Sequence, residues 1–563
     1  MNRALLTLAA GVLAAGCAST PPAIAPAAGR LVVMGTTDTH GWLLPHDYYT
    51  GRATDHGLAR LVPQIDSVRA ANPGRTVLVE SGDLLQGNPL DFVYSRLSAG
   101  ETHPVAAAMN FLRYDASAIG NHEFNYGIAH LDTVARQSRF PWLSANTYRA
   151  GTAEHAYRPF TIVERMVGGA PVRVGITSVT PPGVAIWDRD NVRGRLDFRD
   201  IVASVRPVVA EMRRQGADLV IVAAHSGLEG SSYDTAATGV PTENAAAAMA
   251  REVPGIDLIL MGHSHREVAD TTIGGVLVMQ AKNWGTSLAV AELELELERG
   301  AAGWRVAGKR GRILRPAKGA TSPAFEAMLA TAHQRTRDYV ARRIGTSSVE
   351  WSAARSRVED TPILDLINDV QMRASGAELS AAAAFSLDAR IPAGPITVAD
   401  VAGLYLYDNT LKAVRVSGAQ LRAFIEKSAE YYLPCPAARC DNLVNPAVPG
   451  YNFDVVSGVA YTLDLTKPVG QRVTTLRRNG RDVAAADSFT LALNNYRASG
   501  SGGFSMLIGA PVVYDRGQGI RELLIEEIER RGTIAPEQVF KKNWEIIPAE
   551  LARRAAAEQA QRP

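Results

Sequence analysis

Five short loops, each following an apolar run, carry the side chains best suited to hold a metal ion. Leu31–Met34 is followed by Thr36-Thr37-Asp38-Thr39-His40, Thr76–Val79 by Ser81-Gly82-Asp83, and Ala116–Ile119 by Gly120-Asn121-His122-Glu123. Leu219–Ala224 leads into His225-Ser226-Gly227, and Leu258–Met261 into Gly262-His263-Ser264-His265. Asp38, His40, Asp83, Asn121, His122, His225, His263 and His265 offer carboxylate, amide and imidazole donors without a thiolate. That donor set suits divalent zinc, manganese, cobalt or iron. Any one fragment alone reads as a turn or a helix cap; the series of them does not. Two divalent ions set against Asp38 and Asp83, with the other donors neutral, leave a net positive site, which favours a phosphate ester. Two ions would also clamp an in-line displacement at phosphorus and acidify a water between them.

Such loops must be brought to one place by the elements before them. From Arg30 to about Ile313 the chain alternates short β-rich runs with helical stretches such as Arg60–Ala71, Val105–Leu112 and Ile201–Arg214. This pattern predicts a layered α/β domain. In an open α/β sheet the carboxyl ends of the parallel strands share one edge, where ligands bind. All 11 histidines lie at or before His333, so metal or proton chemistry belongs to this first block.

The expected organisation is an export leader and Pro/Ala tether over 1–28, a catalytic domain over 29–315 and a linker helix over 316–343. A second α/β domain follows over 344–548, with a solvated helix or frayed tail over 549–563. Within the second domain Pro362–Ala374 and Gly418–Tyr432 read as helices, and Leu411–Val416, Val459–Leu465 and Ser488–Asn494 as strands.

Lys+Arg 59 against Asp+Glu 57 gives a net charge of +2, without the basic stripe a polynucleotide would need. Arg3, the apolar stretch Ala4–Ala15 and Leu13-Ala14-Ala15-Gly16-Cys17 read as an export signal. Its end is either a lipobox that lipidates Cys17 or a site for an ordinary signal peptidase. An exported protein of the periplasm or cell envelope is therefore expected, held to the membrane only through Cys17 and acting as a monomer. In that compartment Cys435 and Cys440 are expected to close a local disulfide.

The segments DTH, GDLLQGNP, GNHEFNYG, AAHSGLE and MGHSH resemble those of the calcineurin-like metallophosphoesterases, specifically the two-domain 5′-nucleotidase and 2′,3′-cyclic-nucleotide phosphodiesterase group. LYLYDNTL, YNFDVVSG and NNYRASGSGGF resemble that group's C-terminal nucleoside-binding domain. The resemblance covers about residues 30–548. It implies a β-sandwich flanked by helices, joined to an α/β nucleotide-binding domain, and it implies two metal ions. One would be held by Asp38, His40, Asp83 and His265, the other by Asp83, Asn121, His225 and His263, with Asp83 bridging. His122 matches the family histidine beside the scissile phosphate. Glu123 and His46 are expected to support the loops rather than ligate.

Two departures choose a branch. The 5′-nucleotidases place Asp three residues after that histidine; here Asn125 stands there and can orient the ring without stabilising an imidazolium. Where that branch carries a Gly-Gly-x-Arg turn, this chain has Ala381-Ala382-Ala383-Ala384-Phe385. Both features are closer to the 2′,3′-cyclic phosphodiesterase/3′-nucleotidase branch. The resemblance implies that Tyr496 forms one side of a clamp on the base, with Phe453 or Tyr451 opposite, whereas Tyr405, Tyr407 and Tyr431 read as core or helix-packing residues. Arg497 or Arg390 would touch phosphate or pair on the surface. The rival readings are a 5′-nucleotidase or nucleotide-sugar hydrolase, and a surface nucleotide-binding lipoprotein without catalysis.

Overall fold

A computed structural model describes residues 28–297, 303–407, 409–436, 440 and 442–560. Cys17 and the leader lie outside the described residues.

Strand Ala28–Thr36 shows why the first domain is layered. Leu31 and Val33 point to one face, Val32 and Met34 to the other, and all four are buried. A strand buried on both faces must sit between two layers. Its sheet runs Trp304–Leu314, Leu288–Leu297, Ala28–Thr36, Thr76–Glu80, Ala116–Ala118, Trp142–Leu143. A second sheet runs Val268–Ile273, Val276–Gln280, Leu258–Met261, Leu219–Ala224, Ala170–Val179, Phe160–Val167. Leu31, Val33, Val77 and Val79 meet Ile176, Ile221, Leu258 and Leu260 between the sheets. Helices Leu58–Ala71 and Pro104–Leu112 cover the outer face of the first sheet, and Ile201–Arg214 and Ala246–Glu252 that of the second.

The strands that carry the candidate ligands are parallel within each sheet. Ala28–Thr36 pairs with Thr76–Glu80 and that with Ala116–Ala118; Ala170–Val179 pairs with Leu219–Ala224 and that with Leu258–Met261. Their carboxyl ends therefore converge, and the loops after them meet at one rim of the sandwich.

The helix expected as a linker is Pro323–Val340, capped by Ser322 with Pro323 in its first turn. Phe325, Leu329, Ala332 and Val340 pack it into the core of the first domain, so it is fastened on that side rather than free between domains. The second domain holds a sheet ordered Asp454–Ser457, Leu379–Ala383, Ser488–Asn494, Thr410–Ser417, Val512–Gly519. Helices Pro362–Ser375 and Gly418–Ala429 pack on it; the latter starts with a capping box between Ser417 and Gln420. Cys435 and Cys440 form a disulfide.

The C-terminal segment is a helix, one of the two forms expected, but a packed helix rather than a solvated one. Ala549–Ala560 is a helix whose Leu551 and Ala555 are buried in the core of the second domain. Glu558 on it accepts the Leu443 N–H at 2.8 Å. Small alanines leave room for that close packing, which is why the segment reads as solvated in the sequence. Among the described residues no helix is long and apolar enough to cross a membrane.

Candidate metal centre and substrate pocket

The loops at the rim adopt backbone shapes that side chains resist. Asp38, His40, Asp83, His263 and His265 all have φ between 48° and 69°, the left-handed region. Such conformations cost energy and persist where the surroundings impose them, most often at functional sites. Gly120 shows how tight the approach is: a Cβ there would lie 2.3 Å from Asp83 Oδ1. Glu123 binds the loops together. Its buried carboxylate accepts N–H groups from Asp83 at 3.0 Å, Leu84 at 2.6 Å and Gly120 at 2.5 Å.

Asp83 is the centre of the cluster. Its Oδ2 lies 2.9 Å from His225 Nε2, 3.9 Å from His40 Nε2 and 4.0 Å from His122 Nε2. Asp38, His40 and His265 form one group of donors within 4.8 Å of one another, and Asp83, His225 and His263 another. Asn121 Oδ1 stands 3.1 Å from His225 Nε2. Every residue expected as a ligand is thus brought to one place. His122 also falls within reach of His40 and Asp83, but its Nδ1 is engaged by Asn125 Oδ1 at 2.6 Å.

This donor set fits divalent ions. His40 Nδ1–H donates to the Gln86 carbonyl at 2.6 Å and His225 Nδ1–H to the Ser81 carbonyl at 2.8 Å. Both Nε2 lone pairs are thereby aimed inward, the tautomer that metal-binding imidazoles take. His225 Nε2 faces Asp83 Oδ2 at 2.9 Å, so a positive charge is required there, carried either by a proton on Nε2 or by a cation held between the two atoms. The charges agree: burial disfavours charge on Asp38, yet His265 beside it holds the carboxyl down at about 2. Burial likewise opposes a proton on His225, but Asp83 overcomes it and lifts that imidazole to about 10. Asp83 draws positive charge to this pocket, and the cation can be a metal.

Beyond the ligands the structure adds residues that the sequence does not point to. Asn125 Nδ2 donates to Asp188 Oδ1 at 2.9 Å, so a carboxylate stands behind His122 after all, one residue removed. Burial pushes Asp188 up to about 6 against its hydrogen bond from Asn125 and the nearby His122. Trp187 lies over the His263 ring at 5.6 Å. Asp188 follows the short helix Val184–Trp187 rather than a strand end directly, so strand-end reasoning passes over it.

The second domain meets the pocket through aromatic side chains. Asn495, next to Tyr496, donates to the carbonyl of Trp187, whose ring lies over His263, and Glu243 stands 3.9 Å from His263 Nε2. Burial holds the Tyr496 hydroxyl well above its usual value, with Tyr451, Glu243 and Tyr407 adding to the shift. Tyr451 is 37 % exposed and Tyr407 39 %. Tyr407 is thus not the core residue expected; Phe385 holds its ring edge-on at 5.0 Å. Tyr405 is buried as expected.

Phe453 and Arg497 are corrections. Phe453 is 1 % exposed and packs against Tyr431, Tyr432 and Trp544, leaving no face for a base. Arg497, 2 % exposed, pairs with Asp454 at 2.8 Å and donates to the Tyr451 carbonyl at 2.6 Å. It braces the aromatic loops instead of meeting phosphate. Arg390 pairs with Glu350 on the surface at 3.0 Å. His46 packs beside Tyr48 and His333, away from the ligands.

The comparisons with known proteins follow the same division. A family model for the calcineurin-like phosphoesterases matches residues 31–267, and one for the 5′-nucleotidase C-terminal domain matches residues 343–508. A 2′,3′-cyclic-nucleotide 2′-phosphodiesterase/3′-nucleotidase of Yersinia enterocolitica is 31% identical, over 96% of this chain and 91% of that protein. The chain belongs to the calcineurin-like metallophosphoesterases. Within that family it is 33% identical over 92% of its length to the trifunctional nucleotide phosphoesterase protein YfkN of Bacillus subtilis (strain 168), of which it spans 39%. A 5′-nucleotidase precursor from Thermus thermophilus shares the fold, with a TM-score of 0.63 at 24% identity over 92% of this chain and 99% of that one. As a metallophosphoesterase the chain is a hydrolase that uses divalent metal.

Proposed function

We propose that this metallophosphoesterase opens 2′,3′-cyclic nucleotides to 3′-nucleotides and then removes the 3′-phosphate. The observation that carries the reading is that the loop of Tyr496 adjoins the Asp83-centred cluster across the domain boundary, Asn495 donating to the carbonyl of Trp187, whose ring lies over His263. Asp38, His40, Asp83 and His265 would hold one ion, and Asp83, Asn121, His225 and His263 a second, from among zinc, manganese, cobalt and iron. When bound, such ions supply Lewis acidity at the phosphoryl oxygens and an acidified water.

The chain's own groups account for the rest. His122 turns Nε2 toward the pocket, where it can hydrogen-bond a phosphoryl oxygen or the departing ribose oxygen as charge builds. Tyr496 and Tyr407 offer faces to the base, and stacking on them tolerates any base. The amide at Asn125 and the alanines at 381–384 favour the cyclic-nucleotide branch over the 5′-nucleotidases. Export to the cell envelope, with Cys17 lipidated, fits a disulfide-bonded enzyme that scavenges extracellular nucleotides. A panel of 2′,3′-cyclic, 3′- and 5′-nucleotides assayed for phosphate release tests the reading; preference for 5′-nucleotides would replace it with the nucleotidase alternative, and activity on none with the binding-protein alternative.

A further inference from the structure

An amide beside a histidine is ambiguous, because it can turn either its oxygen or its NH2 toward the ring. If Asn125 presented NH2 to His122 Nδ1, the neutral ring would carry its proton on Nε2, and a second proton at Nδ1 would be repelled. If it presents Oδ1, Nδ1 must carry a proton and Nε2 is the position that exchanges with substrate. The structure has the second arrangement, with Nδ1 and Oδ1 2.6 Å apart.

What selects it is on the other side of the amide. Asp188 is buried and lies 2.9 Å from Asn125 Nδ2. A carboxylate only accepts, so it takes the NH2 and leaves Oδ1 for the histidine. The segment that carries Asp188 is itself held in place. Asn191 Nδ2 donates to the Phe124 carbonyl at 2.9 Å, and Asp190 pairs with Lys412 of the second domain. Asn495, next to Tyr496, donates to the Trp187 carbonyl at 3.4 Å.

Resting on the phosphoesterase reading above, we propose that Asp188 is a positioning residue for the reaction: it fixes the Asn125 amide, and through it the proton-bearing edge of His122. It touches no reacting atom and transfers no proton.

The test exchanges the two side chains. In the natural background Asp188→Asn lets the 125 amide turn over, and kcat on 3′-AMP and 2′,3′-cyclic AMP should fall about tenfold or more, with KM within about twofold. Asn125→Asp alone sets two carboxylates against each other and should also be impaired. Adding Asp188→Asn to Asn125→Asp should raise kcat, since a carboxylate at 125 needs no orienting and the new amide can donate to it. A residue with only a structural role would lower activity in both backgrounds. Loss on Asp188→Asn with gain in the Asn125→Asp background supports the proposal. No effect in the natural background, or a loss in both, overturns it. Should Asp188→Asn alone fail to fold, by melting curve and metal content, the comparison of Asn125→Asp with the double variant decides by the same sign. Wild-type protein idle on both nucleotides would overturn the assigned function; an active wild type with no sign reversal overturns this inference alone.

Discussion

Asp83 Oδ2 and His225 Nε2 lie 2.9 Å apart although they end strands of different sheets. That contact spans the rim of the sandwich, so the charge at Asp83 organises loops from both layers. Asp83→Asn keeps the shape and removes one of the two carboxylate charges, Asp38 and Asp83, that draw cations to the centre. The variant should fold, bind less metal, and lose hydrolysis by several orders of magnitude. Metal analysis alongside turnover checks this; near-normal activity with full metal would remove Asp83 from the centre.

The tyrosines should separate base recognition from chemistry. Tyr496→Ala and Tyr407→Ala should each raise KM for nucleotides by up to the roughly 1–3 kcal/mol that stacking on one face contributes. Hydrolysis of bis(4-nitrophenyl) phosphate, which has no base, should change far less. Equal losses on both substrates would place these rings in support of the fold.

The loops that deliver ligands are legible in the sequence because each follows a near-continuous apolar run, the mark of a strand buried on both faces, whose end shows where the loop begins. The same local rule does not reach Asp188, which stands past a short helix, nor Tyr407. Phe453 and Tyr407 differ in exposure because of distant partners: Trp544 covers one ring, whereas Phe385 only props the other. Arg497 reads as a phosphate contact or a surface ion pair, and only the fold buries it against Asp454. Long-range burial, not local pattern, decides these cases.

Arg497 therefore yields a test of its own. Breaking a buried ion pair by truncating one partner costs about 3–5 kcal/mol, so Arg497→Met should lower Tm substantially. Inhibition by inorganic phosphate should match that of wild type in the folded fraction. Weakened phosphate inhibition would return Arg497 to the anion site.

A pH effect on stability is expected far from the metals. Burial raises Asp360 to about 7, with the neighbouring Asp365 adding to it. A carboxyl raised in the folded state favours folding while it stays protonated. That contribution is complete below the unfolded value near 3.8 and is lost as pH rises toward 7. Asp360→Asn keeps an acceptor for the Asn543 N–H without the charge. The variant should gain on wild type in Tm at pH 8 relative to pH 5. An unchanged difference between the two pH values would contradict the shift.

The central claim, a metal-dependent phosphoesterase of cyclic nucleotides, is tested most directly by one rate comparison. Purified protein loaded with manganese, zinc, cobalt or iron is given 2′,3′-cyclic AMP, 3′-AMP or 5′-AMP at equal concentrations, before and after chelation. The account predicts that 2′,3′-cyclic AMP is opened, that 3′-AMP is dephosphorylated, that 5′-AMP lags both, and that chelation abolishes all turnover. Faster hydrolysis of 5′-AMP, or turnover that survives full removal of metal, would contradict it.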